Sequence, residues 1–329
     1  MTQARQNKKD EFYTQLEDIE NEVTHYKRHF KGKIVLCNCD DPRTSNFFRY
    51  FVMNFAHLGL KKVIATCYKN QDVDLFTLND CESAVYMVYD GSVDYDTFLR
   101  GPKPEIRAFK GDGDFRSEEC IALLKEADIV CTNPPFSLFR EYIAQLMKYK
   151  KKFLVIGHQN AIKYKEIFPL IKANKLWLGY GFKGGIGYFI NAHYEDYAVA
   201  GEHKEGMIRV SGVQWFTNLE IEKRNEDIPL YKRYTPEEYP KFVNYDAISV
   251  SKTADIPCDY FGEMGVPITF MDKFNPSQFE LIGMSLDLGD MSVIRERLGR
   301  NDGGPTFYLE RNGELERLYD RIVIRRKMP

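Results

Sequence analysis

No apolar run in this 329-residue sequence approaches the length of a membrane span, so a membrane-spanning helix is excluded. The opening MTQARQNKKDEF is polar and does not have the form of a secretory leader. Cysteine is sparse and irregular, at Cys37, Cys39, Cys67, Cys81, Cys120, Cys131 and Cys258. The one close pair, Cys37-x-Cys39, has neither a second pair nor a histidine cluster, which argues against structural zinc; no metal is expected. Several of these cysteines fall in apolar, strand-like runs, where buried reduced thiols and a cytoplasmic setting are the expectation. A net charge of −2 excludes a polycation. It leaves room for a local basic surface, and KYKKK (148–152), RERLGR (295–300) and RIVIRRK (321–327) are candidates for one. There is no internal repeat and no low-complexity tract. With 43% hydrophobic and 29% charged residues, the composition is that of a globular protein.

Strands and helices alternate along the first two thirds. Strands are expected at 33–39, 61–68, within 105–115, and at 128–133, 152–158, 176–181 and 213–219. Helices are expected at 18–30, 44–58 (capped by Thr44 or Ser45), 117–127 (capped by Ser117), 138–150 and 164–175, the last kinked or split at Pro169. The strands are continuous apolar runs rather than alternating stripes. That pattern predicts an α/β fold with a mostly parallel sheet and helices on both faces. Ligands of such sheets bind beyond the carboxyl ends of the strands, so the loops after 37, 67, 109 and 132 are the ones to inspect. After about residue 220 periodicity fades and tyrosine, proline and charge rise; 266–284 alone reads as a strand followed by a helix. Residues 221–329 are read as a recognition region appended to a core spanning 1–220.

Four stretches carry chemistry. Asn133-Pro134-Pro135-Phe136 ends a predicted central strand and arises by chance in roughly one chain in a thousand of this size. Proline fixes φ and donates no hydrogen bond, and the residue before each proline is held extended. The stiff loop can aim the Asn133 side-chain oxygen and the Pro134 carbonyl at one amino group with two N–H donors. Fixed acceptors of this kind stabilise the positive charge that develops as a poorly nucleophilic nucleobase amine forms a new bond. Phe136 would stack on the base, a contact worth on the order of 1–3 kcal/mol. In KGDGDFRSEEC (110–120), Asp112 and Asp114 stand at a glycine turn, where a carboxylate can accept from an adenine amino group and Phe115 can pack on its ring. In CNCDDPRTSNFF (37–48), Asp40 and Asp41 could hold an ammonium group and would repel phosphate. Together with the missing G-x-G-x-x-G, this argues against a dinucleotide. Phe12, Tyr13 and Thr14 precede the first helix and read either as a lid or as ordinary core.

DEFYTQ, CNCDDPRTSNFF, GDGDFRSEE and TNPPFSLF, in that order, resemble the EcoRI-type adenine-N6 DNA methyltransferases. The likeness continues through KKFLVIG, NKLWLG, WFTNL, YDAI and GVPITF to about residue 285, and the tail beyond reads as particular to this chain. The resemblance implies a Rossmann-like core using S-adenosylmethionine, with Asn133, Pro134, Pro135 and Phe136 binding the target amine. Asp114 and Phe115 would bind the cofactor adenine, and Asn38, Cys39, Asp40, Asp41 and Pro42 would lie against its methionine part. Phe12, Tyr13 and Thr14 would line the same pocket. Two departures stand out: many relatives have a glycine in the first loop, and many have an acidic residue after the second strand to hold the ribose, where this chain offers Cys67 and no carboxylate until Asp72. The resemblance further implies duplex DNA with a short palindrome, GAATTC, and the modification half of a restriction–modification system. The adenine is expected to flip because N6 is inaccessible within the stack, and a monomer methylating one strand at a time would suffice. An RNA base, a protein glutamine amide and a non-catalytic DNA-binding role remain as alternatives.

Overall fold

The computed structural model describes residues 13–39, 41–68, 84–94, 97–98, 106–190, 207–298 and 304–328. The chain divides into two compact units, Met1–Phe168 with Lys175–Glu220, and Pro169–Asn174 with Ile221–Pro329. Among the described residues no helix is long and apolar enough to cross a membrane.

The first unit begins with β1 (Tyr13–Thr14) and α1 (Leu16–Val23), followed by β2 (Ile34–Asn38), α2 (Asn46–Met53), β3 (Lys62–Cys67), β4 (Val85–Tyr89) and β5 (Arg107–Ala108). Then come α3 (Glu118–Glu126), β6 (Ile129–Thr132), α4 (Phe139–Lys148), β7 (Lys152–His158), β8 (Trp177–Leu178), β9 (Ile186–Ile190), β10 (Met207–Ser211) and β11 (Val213–Thr217). Eight of the strands form one sheet in the order β5-β4-β3-β2-β6-β7-β11-β8. The centre, β3-β2-β6-β7, is parallel. β4 and β11 run against it, and the outer β5 and β8 turn back to the common direction. The sheet is therefore mixed but mostly parallel, flanked by helices. Every residue of β2 and β6 is buried, which is why these strands read as unbroken apolar runs.

Local signals explain the helix starts. Ser45 caps α2 by accepting from the Phe48 amide at 3.2 Å, and Ser117 caps α3 by accepting from the Cys120 amide at 3.2 Å. The helix expected over 44–58 is interrupted at Asn54, whose side chain donates to the Tyr50 carbonyl at 3.0 Å. Over 164–175 only Phe168–Lys172 is α-helical; Pro169 falls in its first turn, where a missing amide costs nothing, so proline starts this helix instead of kinking it. Within 105–115 only Arg107–Ala108 is strand, at the sheet edge. The sequence reading missed β4 beside it, whose alternating burial differs from the continuous runs of the parallel strands. It also missed β9 and β10, which form a second sheet with β1, in the order β1-β9-β10.

In the second unit β12 (Ile248–Ser249), β13 (Glu263–Pro267), β14 (Phe279–Met284) and β17 (Arg321–Arg326) form one sheet in the order β12-β13-β17-β14. α5 (Met291–Leu298) follows β14, and β15 (Tyr308–Arg311) with β16 (Glu314–Arg317) makes a hairpin. The strand-plus-helix expected over 266–284 is a strand, a 3₁₀ stretch over Ile268–Lys273, and a second strand. An Asn-Pro turn breaks the helix: the Asn275 side chain accepts from the Ser277 amide at 2.8 Å.

The cysteine expectation needs one amendment. Cys37, Cys39, Cys120, Cys131 and Cys258 are free, but Cys67 is disulfide-bonded, so it gives no support to a reducing setting.

Candidate active site

From β2 the chain crosses to β3 on one side, and from β6 to β7 on the other. The crevice beyond the carboxyl ends of β2 and β6 is thus a topological switch point. A cavity of about 180 Å³ opens there. Asn38 and Cys39 line it from the end of β2, Thr66 and Tyr68 from the end of β3, and Gly113 to Arg116 from the turn before α3. Pro135, Ser137 and Leu138 close it from the Asn-Pro-Pro-Phe side.

That last wall is built as proline stiffness requires. Asn133 and Pro134 are buried, Pro135 is extended at φ −53° and ψ 129°, and Phe136–Leu138 form a 3₁₀ turn into α4. The nitrogen end of the Asn133 amide donates to the Thr14 hydroxyl at 3.3 Å, and the Thr14 carbonyl accepts from Asn46 at 2.8 Å. Thr14 is held in turn by β1–β9 pairing opposite Phe189. The N-terminal motif therefore braces the Asn133 side chain through Thr14; Tyr13 lies in the same strand, and Phe12 and the Tyr13 side chain fall outside the described residues. Phe136 is half-buried, its ring 6.4 Å from that of His158 at the end of β7. His158 Nδ1 accepts from the Asn160 amide at 3.1 Å, which puts the ring proton on Nε2, and burial lowers its pKa.

The opposite wall is the Gly-Asp-Gly-Asp-Phe turn. Gly113 sits at φ 75°, and a Cβ there would lie 2.7 Å from the Cys67 carbonyl and 2.8 Å from the Ala84 side chain, so only glycine fits. Asp112 is used inside the turn, accepting from the Asp114 amide at 3.0 Å. Asp114 faces the cavity and is gripped by Arg116 through Nε at 2.8 Å and a terminal nitrogen at 2.7 Å. These bonds and the adjacent positive charge hold its carboxyl below the usual carboxylate range. Arg116 reaches Glu141 of α4 at 2.9 Å and lies 5.1 Å over the Phe115 ring. Gln145 of α4 donates to the Phe115 carbonyl at 2.9 Å.

The first loop divides. Asn38 and Cys39 face the cavity, whereas Asp41 is buried and accepts from the Arg43 amide and Nε, each at 2.9 Å. The Asp41 carbonyl accepts from Ser45 at 2.7 Å, so Asp41 and buried Pro42 shape the turn into α2 and are not among the cavity's lining residues. Asp40 falls outside the described residues. Cys39 adopts φ 78°, the left-handed conformation a glycine would take without strain. Cys67 itself is not part of the wall; its neighbours Thr66 and Tyr68 are.

Sequence reasoning missed Arg116, Tyr142, Thr66, Tyr68 and His158. One signal for Tyr142 was available. It shares the buried stripe of α4 with Phe139, Ile143 and Leu146, and a tyrosine so buried must find a partner for its hydroxyl.

The model of the family described as adenine-specific methyltransferase EcoRI matches residues 1–327. The expectation that the tail beyond 285 is particular to this chain is thereby overturned, in keeping with β17 lying inside a sheet. The Type II methyltransferase M.EcoRI of Escherichia coli is 50% identical over 298 residues, covering 88% of this chain and 91% of that protein. The Type II methyltransferase M.MpnI of Mycoplasma pneumoniae is 38% identical, covering 98% of this chain and 97% of that protein. The Type II methyltransferase M.MgeORF184P of Mycoplasma genitalium is 40% identical, covering 85% and 84%. No solved structure matches the chain. With a family match along almost its whole length and half of the aligned residues shared with one such enzyme, the chain belongs to the EcoRI family of adenine-specific methyltransferases.

Proposed function

We propose that this enzyme transfers a methyl group from S-adenosylmethionine to N6 of an adenine swung out of duplex DNA, at one short site, as the modification half of a restriction–modification system. The observation that carries the reading is the pair of cavity walls described above, with Asp114 and Phe115 on one side and, on the other, Pro135 of the Asn133–Phe136 bend with Ser137 and Leu138, while Asn133, Pro134 and Phe136 are not themselves lining residues. The donor set fits the cofactor. Asp114 offers a carboxylate to an adenine amino group, Phe115 a ring, and Asn38 and Cys39 the loop toward the methionine part. When bound, the sulfonium supplies an electrophilic methyl group.

The protein's own contribution is to hold the amine. Asn133, oriented by Thr14, and the Pro134 carbonyl accept from the N6 hydrogens and stabilise the positive charge on nitrogen as the N–C bond forms and the S–C bond breaks. The extra proton then passes to water. Phe136 stacks on the base, which must leave the duplex because N6 is out of reach within the stack. His158 is not needed as a base.

Residues 1–220 would act as the catalytic core and 221–329 as the region that reads DNA. Tyr231, Lys232 and Arg233 favour this, as an exposed aromatic–basic run in the second unit. A monomer working in the cytoplasm on one strand at a time would suffice. Sequencing modified bases in DNA from cells expressing the protein tests the reading. N6-methyladenine at a single palindrome, GAATTC by the resemblance, is the expected result, and unmodified adenine throughout would overturn it. Labelled RNA and protein supplied with the same methyl donor should stay unmodified.

A further inference from the structure

Tyr142 lies on α4, below the cavity, and is 1% exposed. Its hydroxyl donates to the side-chain oxygen of Asn38, and its ring meets the Phe115 ring edge-on at 5.3 Å. Asn38 is itself 7% exposed, and its main-chain carbonyl accepts from the Thr132 hydroxyl. Both oxygens of Asn38 are therefore committed to the protein. The orientation of the amide follows from the phenol. Turning the amide round would leave the Tyr142 proton without an acceptor in a fully buried position, a loss on the order of 1–3 kcal/mol. The nitrogen of Asn38 is thus the end turned to the cavity, and it makes no hydrogen bond among the described residues.

We propose that Tyr142 is a positioning residue that presents the Asn38 side-chain NH₂ as a donor to the carboxylate of the cofactor's amino-acid portion. The assignment rests on the function proposed above. It stands beside the ammonium-holding role expected of Asp40 and Asp41, of which Asp41 has its carboxylate on Arg43. A neutral donor suits this place: it can bind a carboxylate without repelling the neighbouring sulfonium. The same tyrosine touches Phe115, so one buried side chain sets two walls of the cavity.

The test compares two ligands by calorimetry: S-adenosylhomocysteine, which carries the amino-acid portion, and 5′-methylthioadenosine, which lacks it. Asn38→Ala should weaken S-adenosylhomocysteine about ten-fold or more and leave 5′-methylthioadenosine within about two-fold. Tyr142→Phe, which keeps the ring and its packing, should weaken only S-adenosylhomocysteine, by about three- to ten-fold. Adding Tyr142→Phe to Asn38→Ala should then cost nothing more, because the tyrosine acts through the amide. Melting curves of each variant report on folding separately. Equal losses for both ligands, or additive losses in the double variant, would show a merely structural role and overturn the inference while leaving the cofactor reading standing. Wild-type protein that binds neither ligand would overturn the proposed function, and this assignment with it.

Discussion

Thr14 and Asn133 lie 119 residues apart and meet through one hydrogen bond at the candidate site. If that bond orients the amide, Asn133→Ala should lower kcat about 100- to 1,000-fold, as expected for one lost acceptor of developing charge, and leave affinity for S-adenosylhomocysteine near wild type. Thr14→Val keeps the shape and removes the hydroxyl; kcat should fall about two- to ten-fold, the range of one ordinary hydrogen bond. Single-turnover assays with a DNA substrate measure both, and wild-type turnover in Asn133→Ala would refute the assigned role. Arg116 affects the site through Asp114. A carboxyl held below its ordinary value contributes stability that is fully present above about pH 3.9 and is lost as pH falls through the lowered value. Arg116→Gln should return the Asp114 pKa toward its ordinary value, so this stability is already missing at neutral pH and melting temperature falls less steeply than in the wild type as pH drops from about 5 to 3. In an Asp114→Asn background the substitution should shift nothing. The residues legible in advance, Asn133 to Phe136 and Asp114 with Phe115, are contiguous motifs whose chemistry is local. Arg116, Tyr142 and the Thr14 contact depend on which helix packs beneath which loop, and no spacing along the chain encodes that.

Elements carry the next layer of constraint. Gly157 of β7 faces Phe139 of α4, the first residue after the 3₁₀ turn that begins at Phe136, and a Cβ there would lie 2.5 Å from the Phe139 ring. That ring is 1% exposed and packs on Phe216 at 4.9 Å, so it has little room to yield. Gly157→Ala would ordinarily help a strand by a fraction of a kcal/mol. Overpacking outweighs this here and should cost about 1–3 kcal/mol in urea denaturation. Phe139→Leu in the same chain should recover part of the loss, which a purely backbone effect would not allow. The parallel strands were legible because burial on both faces writes an unbroken apolar run. β4 alternates, β9 and β10 belong to a second sheet, and β14 follows an Asn-Pro turn; each departs from the helix–strand rhythm that the reading followed.

Across the whole molecule, charge counted along the sequence differs from charge available on the surface. In RIVIRRK, Ile322, Val323 and Ile324 are wholly buried in β17, and Arg325 pairs with Glu263 at 2.6 Å and Glu280 at 3.6 Å. Arg326 donates to the Cys258 carbonyl, and Lys327 to that of Pro276 at 2.7 Å. In KYKKK, Lys151 donates to the carbonyls of Lys125 and Ala127, and Lys152 to that of Asn218. These runs hold the fold together, which composition alone could not reveal. Because β17 lies between β13 and β14, a chain ending at residue 318 should lose the cooperative melting of the second unit, whereas a dispensable tail would leave it unchanged.

Synthesis order adds a consequence. β1 emerges among the first residues, yet its partner β9 ends at Ile190, so a growing chain cannot brace Asn133 until well over half of it has left the ribosome. The candidate pocket is therefore finished late, and if it is where methyl transfer occurs, nascent fragments should be inert toward the host genome.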